Sequence, residues 1–206
     1  GLLLMRGTEF SYIKNGADVL IEDMIATLGF DIFYISSSIF LLAFFIIAYY
    51  QKKNYDSFTI YKSYLSIMLF ESFVYALLLF LLLGNMSLYL MDISVEDIKF
   101  NIILSLGAGI YEELIFRVFS IFILYKFISF IFKSMRHFST QFSALLLSSI
   151  LFSLFHFMGT ESFSQEAFTI RFIAGILLGI LYINRGFGIT AITHSFYDIF
   201  VIFQLT

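Results

Sequence analysis

Six long apolar stretches organise the chain, at about 31–50, 64–86, 101–125, 141–158, 168–183 and 187–205. None alternates with the two-residue period of a barrel strand, and each approaches the roughly 17–25 residues that a helix needs to cross a bilayer. The pattern predicts an all-α fold: a polytopic transmembrane helix bundle of about six spans. The fifth stretch is the shortest and would need Arg171 to snorkel to the membrane edge. Residues 1–29 read as an N-terminal segment, and 30–206 as one integral membrane helical domain. Residues 1–10 lack a leading Met, and Gly7-Thr8-Glu9-Phe10 reads as a cloning scar, so they are set aside. Asp18 to Gly29 would suit an interfacial helix or the frayed end of a longer chain.

The connecting segments test this layout. Lys52, Lys53 and Lys62 stand against Asp56 in the first. Asp92, Glu96 and Asp97 stand against Lys99 in the second. The third carries Lys126, Lys133 and Arg136, the fourth Glu161 and Glu166 with Arg171 at the helix edge, and the last Arg185. Basic and acidic segments alternate, so the positive-inside rule places the first, third and fifth in the cytoplasm.

Composition agrees. Of the 206 residues, 60% are hydrophobic and 13% charged, too few charges to coat a soluble globule of this size. A net charge of −3 with no basic cluster gives no sign of a nucleic-acid partner; the expected surroundings are the lipid bilayer and a membrane-associated peptide or protein. The absence of Cys excludes thiolate chemistry. The absence of Pro leaves glycine to break a helix, which counts against a transporter with broken helices.

In such a chain an ionisable group at bilayer depth costs about 2.5–3.5 kcal/mol and is a functional candidate. Asp31 falls at a helix end, solvated, and Glu71 lies within the second span with no evident partner. The others form three groups on three spans. Glu113 and Arg117 are four residues apart and can pair on one face. Glu112, about 100° round the helix, is left without a local partner, which suits a general base or acid. Gly107 and Gly109 would let another backbone approach. His156 closes Phe152-Ser153-Leu154-Phe155-His156. His194 and Asp198 are again four apart, so Asp198 can orient the imidazole. Each group alone has a plain reading as an ion pair, an interhelical hydrogen bond or a packing network; their concentration on three spans favours chemistry.

The ordered set Glu112-Glu113-x-x-x-Arg117, Phe152-x-x-x-His156 and His194-x-x-x-Asp198 resembles the CPBP intramembrane proteases, the CAAX-protease and bacteriocin-processing (Abi) family, over roughly residues 101–205. The resemblance implies a CPBP-type catalytic helix core, an intramembrane endopeptidase activity, and a multi-pass protein of a bacterial cytoplasmic membrane. It implies that Glu112 activates water with His156, that Glu113 and Arg117 hold the site in shape, and that His194 and Asp198 line the pocket and stabilise the oxyanion. Asp198 stands where the prenyl-protein enzymes have Asn. No cofactor is expected; the alternative is zinc on Glu112, His156 and His194, against which stand the missing H-E-x-x-H pattern and the nearby Arg117. The competing function is a catalytically inactive immunity or scaffold protein that binds a peptide or partner.

Overall fold

The computed structural model describes residues 62–87, 98–158 and 162–205, with isolated helical positions at 42, 45 and 49. The first predicted span apart from positions 42, 45 and 49, the connecting segments at 50–61 and 88–97, Glu161 and the N-terminal segment lie outside the described residues. Every described element is helical: α1 (Lys62–Ser87), α2 (Ile98–Glu113), a π-helical segment (Leu114–Ser120), α3 (Ile121–Ile131), α4 (His137–Phe155), a 3-10 turn (His156–Met158), α5 (Gln165–Arg185) and α6 (Phe187–Leu205).

Among the described residues, four helices are long and apolar enough to cross a membrane: Lys62–Leu83, Ser105–Ile131, His137–Met158 and Gln165–Arg185. The chain is an all-α integral membrane protein, with large apolar side chains such as Phe70, Leu81 and Phe130 turned outward on these helices. Helix α6 coincides with the sixth predicted stretch and carries Thr190, Thr193, His194 and Asp198.

Boundaries shift where helices outrun their apolar cores. Lys126 belongs to α3 rather than to the connection after it, its ammonium lying 5.7 Å from the centroid of the Phe122 ring one turn earlier. Glu166 stands in the first turn of α5, where an acid suits the helix dipole, and the Ser164 side chain caps that end by accepting from the Ala167 N–H. Arg185 is the last residue of α5, and Gly186, at φ 81°, turns the chain into α6 in a conformation that a Cβ would strain.

Small residues set the spacing of α4 and α5. Gly175 and Gly179 form a small-xxx-small face on α5. A Cβ on Gly175 would come within 3.0 Å of Ser149 Cβ and 3.2 Å of Ser149 Cα; one on Gly179 would meet Leu145 Cγ at 3.1 Å. Leu145 against Gly179, Ser149 against Gly175 and Ser153 against Phe168 make the two helices antiparallel.

Helix α1 joins both α5 and α6. Leu79 and Leu83 pack on Leu178, and Arg185 donates to both oxygens of Glu71, Nε to Oε1 at 2.6 Å and Nη2 to Oε2 at 2.5 Å. Glu71 thus has a partner 114 positions away, in a forked ion pair that ties α1 to the α5–α6 turn. The Ser72 hydroxyl donates to Ile189 O at 3.3 Å, and Phe73 meets Phe196 and Phe200 edge-on.

The α4–α5 contact makes a direct prediction. Gly175→Leu forces the two helices apart and is expected to destabilise the protein by about 1–3 kcal/mol, read as a lowered thermal unfolding midpoint in detergent; an unchanged midpoint would contradict the close approach.

Candidate active site

The six candidate residues come together from three helical regions. Glu112 and Glu113 end α2, Arg117 sits in the π-helical segment, His156 opens the turn after α4, and His194 and Asp198 lie one turn apart on α6. Glu112, Glu113, Arg117 and His194 are buried, whereas His156 and Asp198 keep 26% and 23% of their side chains exposed, so the cluster opens on their side.

Glu113 is the junction of the cluster. Its Oε1 accepts from His194 Nδ1 at 2.8 Å and its Oε2 lies 2.9 Å from Arg117 Nε in an ion pair. The Arg117 guanidinium is covered by Phe152, its Cζ 4.6 Å from the ring centroid, which gives the buried cation a π face. Glu113, rather than Asp198, makes the direct hydrogen bond to His194; Asp198 Oδ1 stands 3.7 Å from His194 Nε2, beyond hydrogen-bond distance.

His156 is oriented by its own helix end. The last carbonyls of α4 have no partner within the helix, and His156 Nδ1 donates to one of them, Phe152 O, at 2.9 Å. A carbonyl only accepts, so Nδ1 carries a proton, and in the neutral ring Nε2 presents a lone pair. That Nε2 lies 3.8 Å from Glu112 Oε2, and His194 Nε2 lies 4.0 Å from the same oxygen. Two imidazole nitrogens from different helices therefore face one carboxylate oxygen, at separations too long for direct hydrogen bonds.

Interhelical contacts fix these separations. The π-helical segment begins directly after Glu113, where carbonyls are set in a wider turn. The buried Ser148 hydroxyl of α4 donates to one of them, Phe116 O, at 2.5 Å. The Phe116 ring meets Phe152 and Phe155 edge-on. On the other side, a Cβ on Gly109 would overlap the Ser195 hydroxyl and come within 2.7 Å of Ala191 O, so α2 and α6 touch backbone to backbone one turn before Glu112 and Glu113. Gly107 meets nothing within 4 Å; of the two glycines singled out in the sequence, Gly109 makes the close approach. Sequence reasoning missed Ser148, because nothing in the local pattern of α4 distinguishes it from Ser149, which bonds back to Leu145 O.

Among the described residues no group of three or more His, Asp or Glu side chains has an arrangement that could hold a metal ion. The donors nearest to such a set, Glu112, His156 and His194, are spread about the space between them, and Glu113 is committed to Arg117 and His194.

Comparison with protein families matches residues 94–200 to the type II CAAX prenyl endopeptidase Rce1-like family, just over half of the chain and including all three motifs. The chain belongs to this family. It is therefore a CAAX-type intramembrane protease at the level of the family. Neither the curated proteins nor the solved structures provide a match.

For a protease of this family, Gly109 offers a test of the geometry. Gly109→Ala drives a methyl into the α6 backbone and pulls Glu113 from His194. The expected loss of peptidase activity is on the order of 100-fold at normal membrane insertion, while Gly107→Ala, which meets open space, is expected to retain activity. Equal activity of the two variants would contradict the close approach.

Proposed function

We propose that the chain is a multi-pass endopeptidase that hydrolyses a peptide bond in a membrane-associated protein or peptide, with Glu112 as the general base. The observation that carries this reading is the convergence of His156 Nε2 and His194 Nε2 on Glu112 Oε2, at 3.8 and 4.0 Å. Polar contacts of this length are commonly bridged by water, and a water among these three atoms would meet one strong acceptor and two imidazoles.

Glu112 takes a proton from that water as its oxygen attacks the scissile carbonyl carbon, and the carbonyl π pair becomes the oxyanion. His156 holds the water through Nε2. His194 has committed its Nδ1–H to Glu113, so as an imidazolium flanked by the Glu113 and Asp198 carboxylates it donates from Nε2 to the oxyanion. When the C–N bond breaks, the proton held by Glu112 passes to the leaving nitrogen. Glu113 and Arg117 touch neither water nor substrate; they hold His194 and the helix ends in place. The reading needs no cofactor.

Glu112→Gln is expected to lower kcat by about 100- to 10,000-fold against a membrane-anchored peptide, with the protein inserted at normal abundance. Dialysis against EDTA is expected to leave wild-type activity intact. Normal processing by Glu112→Gln would refute the general-base role and favour an inactive, peptide-binding scaffold. Activity lost to EDTA and restored by zinc would overturn the metal-free chemistry.

A further inference from the structure

The connection between α3 and α4 gathers positive charge that no carboxylate of the described residues balances. Lys126, Lys133 and Arg136 fall within eleven residues, and from Leu114 to Thr160 the sequence holds no Asp or Glu. All three cations are exposed, and none of them forms an ion pair among the described residues. Glu71 and Glu113 are engaged by Arg185 and Arg117.

The backbone fixes where these charges stand. One candidate span ends at Ile131 and the next begins at His137, so residues 132–136 lie at a membrane surface. The Phe132 N–H donates to Ile128 O at 2.8 Å and closes α3, and the Met135 N–H donates to Phe132 O at 3.0 Å. That second bond closes a reverse turn with Lys133 and Ser134 at its corners, both exposed. Arg136 follows in an extended conformation, at φ −64° and ψ 143°, and leads into α4. Beneath the turn the two helix ends are packed together: Ile128 and Ala144 share a buried cluster, and the Tyr125 and His137 rings lie 5.3 Å apart.

Lys126 sits deeper, about 8 Å back along α3 from Ile131 at the helical rise. Its ammonium lies by Phe122, one turn further in, and not toward the helix end. A lipid-facing cation at that level is poorly hydrated, and a ring face offsets only part of its cost. Around the same turn Phe130, Phe132 and Phe138 are 75%, 58% and 77% exposed. The surface thus offers three cations above an apolar bed. An acidic protein segment would answer the charge and leave the rings uncovered; an amphiphile with an anionic head answers both. The positive-inside rule puts this end of the hairpin at the cytoplasmic leaflet, which carries anionic lipid.

We propose that the α3–α4 turn is a binding site for an anionic phospholipid. Lys133 and Arg136 hold the headgroup, Lys126 draws the phosphate down toward the rings, and Phe130, Phe132 and Phe138 bed the acyl chains. Arg136 can grip a phosphate with two N–H groups, whereas the lysines act as point charges. Lipid binding here does not depend on the peptidase reading.

Because the chain has no Cys, an introduced one carries a single bimane label. Ser134→Cys places it at the turn. Ser162→Cys, exposed on the connection at the other end of α4, is the reference. Each protein is reconstituted in phosphatidylcholine vesicles with a minor share of phosphatidylglycerol, and an equal amount of one lipid or the other carries brominated chains. Quenching is expected to show about fivefold enrichment of phosphatidylglycerol at the turn and none at the reference. Lys126→Gln, Lys133→Gln and Arg136→Gln together are expected to remove the enrichment, while Lys133→Arg keeps it. No enrichment at the turn, equal enrichment at both labels, or enrichment that survives the combined variant would overturn the proposal. So would a turn that gathers no lipid but binds a soluble polyglutamate peptide, which marks a surface for an acidic protein. Should the combined variant fail to insert, Arg136→Gln alone decides: it is expected to lose about half of the enrichment or more, and an unchanged ratio overturns the proposal.

Discussion

One buried carboxylate holds the centre of this molecule together. Glu113 lies between Arg117, four residues on in its own chain segment, and His194, 81 positions away on α6. An ionised carboxylate inside a membrane bundle is tolerable only when its charge is matched and its oxygens are engaged. The Glu113 oxygens face a guanidinium and an imidazole N–H, and the guanidinium is in turn covered by Phe152 of α4. One ion pair thereby touches the three helical regions that carry the motifs. Glu112, the next residue in the chain, has no such partner and turns toward the space between His156 and His194. Adjacent carboxylates thus differ in their surroundings: Glu113 is held by an arginine and a histidine, while Glu112 faces two imidazole nitrogens at 3.8 and 4.0 Å, as the proposed general base requires.

The supporting contacts are short and apolar wherever they can be. Gly109 brings α2 onto α6, Gly175 and Gly179 bring α5 onto α4, and single serine hydroxyls, Ser148 and Ser153, tie α4 to the π-helical segment and to α5. In lipid there is no hydrophobic gain from burying one apolar helix against another, so close backbone packing and interhelical hydrogen bonds carry the association. The same devices that hold the bundle therefore also set the 3.8 and 4.0 Å separations at Glu112.

Much of this was legible in the sequence. Apolar runs gave the helices because span length is dictated by the bilayer, and α6 begins and ends where its run does. The cost of a buried charge picked out Glu112, Glu113, Arg117, His156, His194 and Asp198, and the structure brings all six together. What the sequence hid was long-range. Glu71 showed no partner because Arg185 is remote in the chain. Asp198 was the expected orienting group for His194 because it is four residues away, yet Glu113 from another helix makes the bond. Arg171 resembled a snorkelling cation because nothing local to α5 reveals Phe157, whose ring centroid lies 5.2 Å from its Cζ. Local spacing reports what shares a helix face and is silent about which helix lies opposite.

The central claim is that Glu113 acts on the reaction through His194. A double-mutant cycle in kcat tests it most directly, using Glu113→Gln, His194→Gln and the double variant on one membrane-anchored peptide, each inserted at equal abundance. If the two residues act as a unit, the double variant is slower than the worse single variant by no more than about threefold. If instead the two losses multiply in full, Glu113 and His194 act independently and the account is contradicted.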